Sequence, residues 1–198
     1  AMVPTKYGMG PSGYKVGCIV NAFAADGTVE VFHSGVEMGQ GIHTKVAQAV
    51  ASALGVDLSS VIVGDTSTAL VPNGGCTGGS GTSESCVGAA LEACAQLNAT
   101  LEPFKAASKG ESGKSKSQGS GDSAVSFADA AKAAAGEGLS LSATGWFNEA
   151  SAHNGGSFDY FSQGVGMAEV EVDCLTGEVQ ILRCDIHMDL GQSLNPAV

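Results

Sequence analysis

Positive charge is scarce in this sequence, which has nine Lys and Arg residues against 20 Asp and Glu and a formal net charge of −11 at pH 7. No basic cluster lies on a predicted strand or helix, so the chain lacks the electrostatic footprint of a nucleic-acid-binding protein. It also has no run of about 18 apolar residues, the length that a membrane-spanning helix requires. We therefore expect neither a nucleic acid nor a membrane as a partner.

Recognisable metal and disulfide patterns are missing as well. The six cysteines form no C-x-x-C pair, and the four histidines show no H-E-x-x-H or similar spacing. The residues also assemble no Ser/His/Asp or Cys/His nucleophile set, and we assign no catalytic residue and no metal ligand. The N-terminus lacks the apolar core of a secretory signal, so we expect reduced thiols in a cytoplasmic protein, with the peroxisome as the alternative location.

Glycine, by contrast, is abundant, at 29 of 198 residues, and hydrophobic residues make up 43% of the chain. Enough apolar surface is available for a core, and glycine allows positive φ and close approach of the backbone to a ligand. We treat residues 1–198 as a single, partial domain. A stretch at about 108–125 is rich in Ser, Gly and Lys with almost nothing apolar, and is interpreted as a mobile surface insert.

Hydrophobic periodicity predicts an α+β fold of mixed, mostly antiparallel β-hairpins packed against two main helices. The main helices are expected at 42–54 and 82–105, with Pro103 near the end of the second, and a shorter helix at 126–135. Strands are expected at 14–24, 28–33, 61–64, 139–143, 166–173 and 178–186. Loops are expected at 2–11 and 151–157.

Two glycine-rich loops are prominent because each follows a strand and opens a helix. The first spans 35–45 and reads GVEMGQGIHTK, and the second spans 71–85 and reads VPNGGCTGGSGTSES. A helix N-terminus offers unpaired N–H groups and a partial positive charge, and glycine lets these groups approach an oxyanion such as a phosphate. Gln40 lies between two glycines, so its amide is expected to project into a pocket. Two such loops in one small domain predict one composite anion site.

Other interpretations of the same residues stay open. The loops could be ordinary connectors in a structural or interaction domain, or they could form a stand-alone anion- or nucleotide-binding module without catalysis. Neither loop has the G-x-G-x-x-G spacing of a dinucleotide site, and Gly113-Lys114-Ser115 lacks the first glycine and the strand of a P-loop. Glu37 could act as a general base or brace the first loop, and His43 is expected to have a helix-surface or packing role.

Taken in order, these segments resemble the molybdopterin-binding domain of xanthine dehydrogenase and aldehyde oxidase, the molybdenum hydroxylases. Each glycine loop alone is a weak signal, whereas the ordered set is specific. The matching stretches cover nearly the whole chain apart from the insert and read KYGMGPSG, ADGTVEVFHSGVEMGQGIHTKVAQAVASALG, TSTALVPNGGCTGGSGTSES, LSLSATGWF and FDYFSQGVGMAEVEVDCLTGEVQILRCDIHMDLGQSLNPA.

The resemblance implies that both loops contact a molybdenum-pyranopterin cofactor (molybdopterin). The positions that match the family's cofactor contacts are Met38, Gly39, Gln40, Gly41, Thr77, Gly78, Gly79, Ser80, Gly81 and Thr82. The family often has alanines where this chain has Gly78 and Gly79. The implied reaction hydroxylates a purine or aldehyde carbon with water as the oxygen source, and the electrons leave through iron–sulfur clusters and flavin.

Several parts of such an enzyme have no counterpart in this chain. They are the cluster-binding cysteines, the flavin domain, the segment with substrate-orienting Arg and Glu side chains, and the segment with the glutamate base. FAD and [2Fe–2S] clusters are therefore expected in other parts of a longer, homodimeric parent, whose remaining domains are the partners of this chain. The chain alone is expected to be inactive, and it does not decide between purine and aldehyde substrates or between dehydrogenase and oxidase.

Overall fold

A computed structural model describes residues 1–9, 15–111, 126–148, 158 and 160–197, with the backbone alone for 106–111. Within these ranges the chain forms two β-sheets and three α-helices. The strands are β1 (Met2–Met9), β2 (Lys15–Ala22), β3 (Val29–His33), β4 (Val61–Val63), β5 (Ser142–Asn148), β6 (Tyr160–Val172) and β7 (Val179–Asp189). The helices are α1 (Ile42–Leu54), α2 (Thr82–Glu111) and α3 (Phe127–Gly136), with a 3₁₀ turn at Leu58–Ser60.

The first sheet has the strand order β4-β3-β2-β5 and carries the core. Strand β2 pairs antiparallel with β3 and β5, and β3 pairs parallel with β4. Strand alternation turns Val16, Cys18, Val20 and Ala22 to one face, and all four are buried. Helix α2 packs against β2 and β5, and α1 lies beside α2, so this sheet is covered by helices as predicted.

Helices α1 and α2 form where the apolar residues recur at helical spacing. The differences from expectation are the end of α2 and the exposure of one residue on it. Helix α1 has the predicted bounds, and Gly55 ends it at φ 71° by donating its N–H to the Ala51 carbonyl. Helix α2 begins at Thr82 as predicted but continues to Glu111 through Pro103, so the expected end at 105 is wrong. Phe104 packs on the core and holds that turn in place. Leu91 lies at helical spacing from the buried Cys94 and Leu97 and so belongs to the apolar stripe of α2, yet it is 43% exposed.

The second sheet has the order β1-β6-β7, with both pairs antiparallel. The loop expected at 2–11 is wrong for Met2–Met9, which form a strand whose partners run from Met167 back to Tyr160, while residues 10–11 lie outside the described residues. A pairing partner so distant in sequence leaves no local pattern by which the strand can be recognised. Strand β6 begins before its predicted start at 166, and β7 continues past its predicted end at 186. No side chain of either strand is fully buried.

Strand β5 lies several residues later than the predicted strand at 139–143, because Gly145 interrupts the apolar pattern that marks a strand in the sequence.

The predicted α+β class is confirmed. The predicted loop at 151–157 and residues 112–125 of the predicted insert lie outside the described residues, whereas residues 108–111 belong to α2. No helix in the described part of the chain is long and apolar enough to cross a membrane.

Close packing of β5 on α2 requires glycine at position 145, which generates our first prediction. A Cβ at Gly145 would lie 2.0 Å from the Ala89 carbonyl oxygen and 2.7 Å from the Ala93 nitrogen, both backbone atoms of α2. We expect Gly145→Ala to lower the free energy of unfolding by about 1–3 kcal/mol or more through overpacking. Gly166→Ala is the matched control, since a Cβ on that β6 glycine meets nothing within 4 Å. Equal urea stabilities for the two variants would contradict the packing.

Candidate functional site

The two glycine loops meet at Gly35, just after β3. A Cβ at Gly35 would lie 2.5 Å from Ile42 Cδ1 and 3.1 Å from Thr82 Cγ2, so the first residues of α1 and α2 pack against the same glycine. The Val36 N–H donates to Thr77 Oγ1 at 2.9 Å and joins one loop directly to the other. The convergence of the two helix starts, expected from the sequence, is confirmed.

The first loop closes on the Glu37 side chain. Its Oε1 accepts the N–H groups of Gly39 at 2.9 Å and Gly41 at 3.0 Å, and its Oε2 accepts the His43 N–H at 3.4 Å. Burial alone would raise the pKa of Glu37, but these backbone hydrogen bonds and the nearby His43 outweigh it and lower that pKa. The carboxylate therefore acts as a resident anion at the start of α1.

Gln40 also makes its hydrogen bonds within the first loop. Its Oε1 accepts the Met38 N–H and its Nε2 donates to the Val36 carbonyl, both at 2.7 Å. The expectation of bare amides is therefore wrong for Met38, Gly39 and Gly41, and the Gln40 amide bonds to its own loop instead of projecting into a pocket as expected. The physical reason is that two polar side chains inside the loop are long enough to satisfy its backbone. The Met38 side chain is 66% exposed.

The second loop keeps open donors. The Gly78 N–H donates to Thr82 Oγ1 at 3.2 Å, and Thr77 Oγ1 is the acceptor for the first loop. Within the described part of the chain, the N–H groups of Gly79, Ser80 and Gly81 make no hydrogen bond. Gly79 and Ser80 have φ of 62° and 61°, so the backbone turns sharply into the first turn of α2. These amides add to the partial positive charge of the helix start.

One carboxylate lies near these donors. Glu84 is in the first turn of α2, and its Oε1 accepts a hydrogen bond from the Tyr160 hydroxyl on β6. No group of three or more His, Cys, Asp or Glu side chains in the described ranges could hold a metal ion directly. The site therefore offers backbone and hydroxyl hydrogen-bond donors rather than metal ligands.

A buried histidine behind the first loop was missed by sequence reasoning. His33 is 1% exposed, its Nδ1 accepts the Gly35 N–H at 3.2 Å, and its Nε2 lies 2.9 Å from His43 Nδ1. With Nδ1 as acceptor, neutral His33 carries its proton on Nε2 and donates it to His43. The available signal was strand alternation, since His33 continues the buried face of Val29 and Val31. His43 on α1 is half-buried, so its predicted packing role is correct but incomplete.

Burial, and then the neighbouring His43, lower the pKa of His33 from 6.5 to about 4, while Glu37 acts in the opposite direction. The ring is therefore neutral at pH 7. A neutral ring suits its place, because Nδ1 must remain an acceptor for Gly35. His33 thus works as a neutral, hydrogen-bonded link between the sheet and helix α1.

This fold and site describe an α+β domain with a braced glycine loop on one side and open backbone donors on the other, an arrangement that suits an anionic ligand. The model of the molybdopterin cofactor-binding domain family matches residues 1–198, and the chain belongs to that family. Molybdopterin is the cofactor of this family.

Known proteins agree with this assignment. The chain is 39% identical to a xanthine dehydrogenase/oxidase of Felis catus and 41% identical to a xanthine dehydrogenase of Oryza sativa subsp. japonica, covering 100% of this chain and 14% of each relative. The structure of quinoline 2-oxidoreductase from Pseudomonas putida 86 superimposes with a TM-score of 0.76 at 19% identity, over 99% of this chain and 27% of the other. That likeness establishes a shared fold.

The buried His33 generates a prediction on pH. Its pKa is depressed in the folded state, so between pH 6.5 and about 4 the unfolded chain binds more protons and stability rises with pH. Lowering the pH through this window should therefore remove stability, on the order of 3 kcal/mol from this group. Urea unfolding at several pH values measures the slope. His33→Gln, which does not titrate, should flatten it, and an unchanged slope would contradict the assignment.

Proposed function

We propose that this chain is the molybdopterin-cofactor-binding portion of a xanthine-dehydrogenase-like molybdenum hydroxylase. The complete enzyme would hydroxylate a purine or aldehyde carbon, with water as the source of oxygen. Family membership and the names of the curated relatives support this proposal. The chain spans 14% of the length of those relatives, so other domains would supply the rest of the enzyme.

The observation that carries the proposal is the meeting of two glycine loops with open donors on one of them. The amides of Gly79, Ser80 and Gly81, together with the Thr77 hydroxyl, suit the phosphate end of the cofactor. The Thr82 hydroxyl is buried and donates to the Gly78 carbonyl at 3.4 Å, so Thr82 would shape the loop around the cofactor. The Met38–Gly41 segment would contact it from the other side. The bound cofactor would supply the two-electron oxidation of the substrate carbon. The residues of this chain would bind and orient it.

The donor set fits the cofactor better at the second loop than at the first. Open N–H groups at the start of α2, a helix of 30 residues, favour a phosphate without any basic side chain, which suits a chain with a net charge of −11. At the first loop Glu37 already accepts the Gly39 and Gly41 amides. We therefore assign the phosphate end to the second loop and a less charged part of the cofactor to the first.

The second sheet supports the view that further domains cover this one. Strands β1 and β7 expose large apolar side chains, among them Val3 at 62%, Ile186 at 70% and Met188 at 59%. Exposed apolar area of this kind marks an interaction surface. We infer that the remaining domains of the parent polypeptide pack there.

Ser80 allows a direct test of the second loop. Ser80→Asp places a negative charge beside the open amides, at a φ of 61° that Asp tolerates. Repulsion across a few ångströms should lower cofactor retention about tenfold or more in the complete polypeptide. Ser80→Asn is the isosteric neutral control and should retain the cofactor. Molybdenum and pterin content of the purified variants provide the readout. Equal retention by the Asp and Asn variants would contradict the assignment.

The proposal also predicts that the 198-residue chain alone does not turn over substrate. It would hold only part of the cofactor site and none of the electron relay. The chain can be purified from a host that makes the cofactor and assayed for molybdenum and for oxidation of xanthine and an aldehyde. Sustained turnover by the chain alone would refute this division of roles. Calorimetry with phosphate, nucleotides and pterins is the companion measurement, since tight nucleotide binding would favour a stand-alone module.

A further inference from the structure

We propose that Glu37 is a positioning residue that, with the His33–His43 pair, braces the first loop in the conformation that contacts the cofactor. The proposal rests on the proposed function for its consequence, but the brace itself is a property of this chain. It also means that the start of α1 is not a second phosphate subsite, because a carboxylate of the protein already fills it.

The loop has a conformation that its backbone would not hold unaided. Gly39 and Gly41 have φ of 104° and 69°, a region that only glycine adopts freely. Two glycines separated by one residue would give a flexible segment in isolation. The shared bond of both amides to Glu37 Oε1 removes that freedom, because one atom fixes the direction of two N–H groups.

The brace continues into the core through the histidines. The His43 backbone N–H donates to Glu37 Oε2, and the His43 ring accepts from His33 at 2.9 Å. His33 also accepts the Gly35 N–H, at the other end of the loop. Both ends of the loop are therefore tied to one buried side chain of β3, and Glu37 fixes its middle.

This arrangement divides the two loops by charge. The negative charge of Glu37 would repel a second anion at the start of α1 and direct it to the start of α2, where the donors are open. Among the described titratable groups, the rings of His43 and His33 interact electrostatically with Glu37. Neutralising Glu37 should loosen the loop even though the substituted side chain keeps its size.

Glu37→Gln is the test variant. Its amide oxygen can still accept from Gly39 and Gly41, but its NH₂ group opposes the His43 N–H and the charge is lost. In the 198-residue chain, hydrogen exchange followed by NMR should show the Gly39 and Gly41 amides exchanging about tenfold faster than in the wild type. In the wild type, but not in Glu37→Gln, the chemical shifts of these two amides should titrate together. The midpoint should lie below the ordinary pKa of a glutamate. Glu102→Gln, on the exposed surface of α2, is the matched control.

The complete polypeptide then tests the consequence by its molybdenum and pterin content. Faster exchange together with at least about fivefold lower cofactor retention in Glu37→Gln supports the positioning role. Unchanged exchange, or amide signals that do not titrate, would overturn the brace. Faster exchange with full cofactor retention would overturn the positioning role. If the wild-type polypeptide itself holds no cofactor while the variant still loses protection, the proposed function fails and the brace stands.

Discussion

The close approach of two helix starts at Gly35 is the constraint on which the site depends. A Cβ at this position would lie 2.5 Å from Ile42 Cδ1, 2.9 Å from Cys86 Sγ and 3.1 Å from Thr82 Cγ2, so any larger residue would force these buried side chains to shift. The backbone of Gly35 makes two further hydrogen bonds: its N–H donates to the His33 ring, and its carbonyl accepts from the Thr66 hydroxyl. The first loop, the second loop and the end of β3 are thus assembled around one glycine.

Around this point the two loops have opposite electrostatic character, although their sequences look alike. The first loop contains a carboxylate and an amide side chain that satisfy its own backbone. In the second loop, among the described residues, Thr82 Oγ1 accepts the Gly78 N–H, whereas the N–H groups of Gly79, Ser80 and Gly81 stay open. The difference lies in how many backbone donors the side chains of each loop satisfy: Glu37 and Gln40 together accept those of Met38, Gly39 and Gly41. Two loops of similar glycine content therefore differ: side chains already satisfy the backbone donors of the first, whereas the second has donors available to a ligand.

Local patterns predicted the elements on which the site is built. The alternation of Val16, Cys18, Val20 and Ala22 predicted β2, and the apolar stripe at 42–54 predicted α1, because each element buries one face and its apolar residues recur with the period of that element. Strand β1 could not be found this way, since its partner lies more than a hundred residues away. The acceptors of the N–H groups in the first loop could not be predicted either. Glycine spacing does not show whether the Glu37 side chain folds back onto the loop or points away from it.

The central claim is that open amides at the start of α2 hold the cofactor's phosphate, while the Glu37 carboxylate occupies the corresponding position at the start of α1. A crystal structure of the cofactor-loaded polypeptide tests it most directly. The account predicts phosphate oxygens within hydrogen-bond distance of the backbone N–H groups of residues 79–82, with Glu37 still accepting from Gly39 and Gly41. A phosphate bound to Gly39 and Gly41 with Glu37 displaced, or a cofactor that touches neither loop, would contradict it.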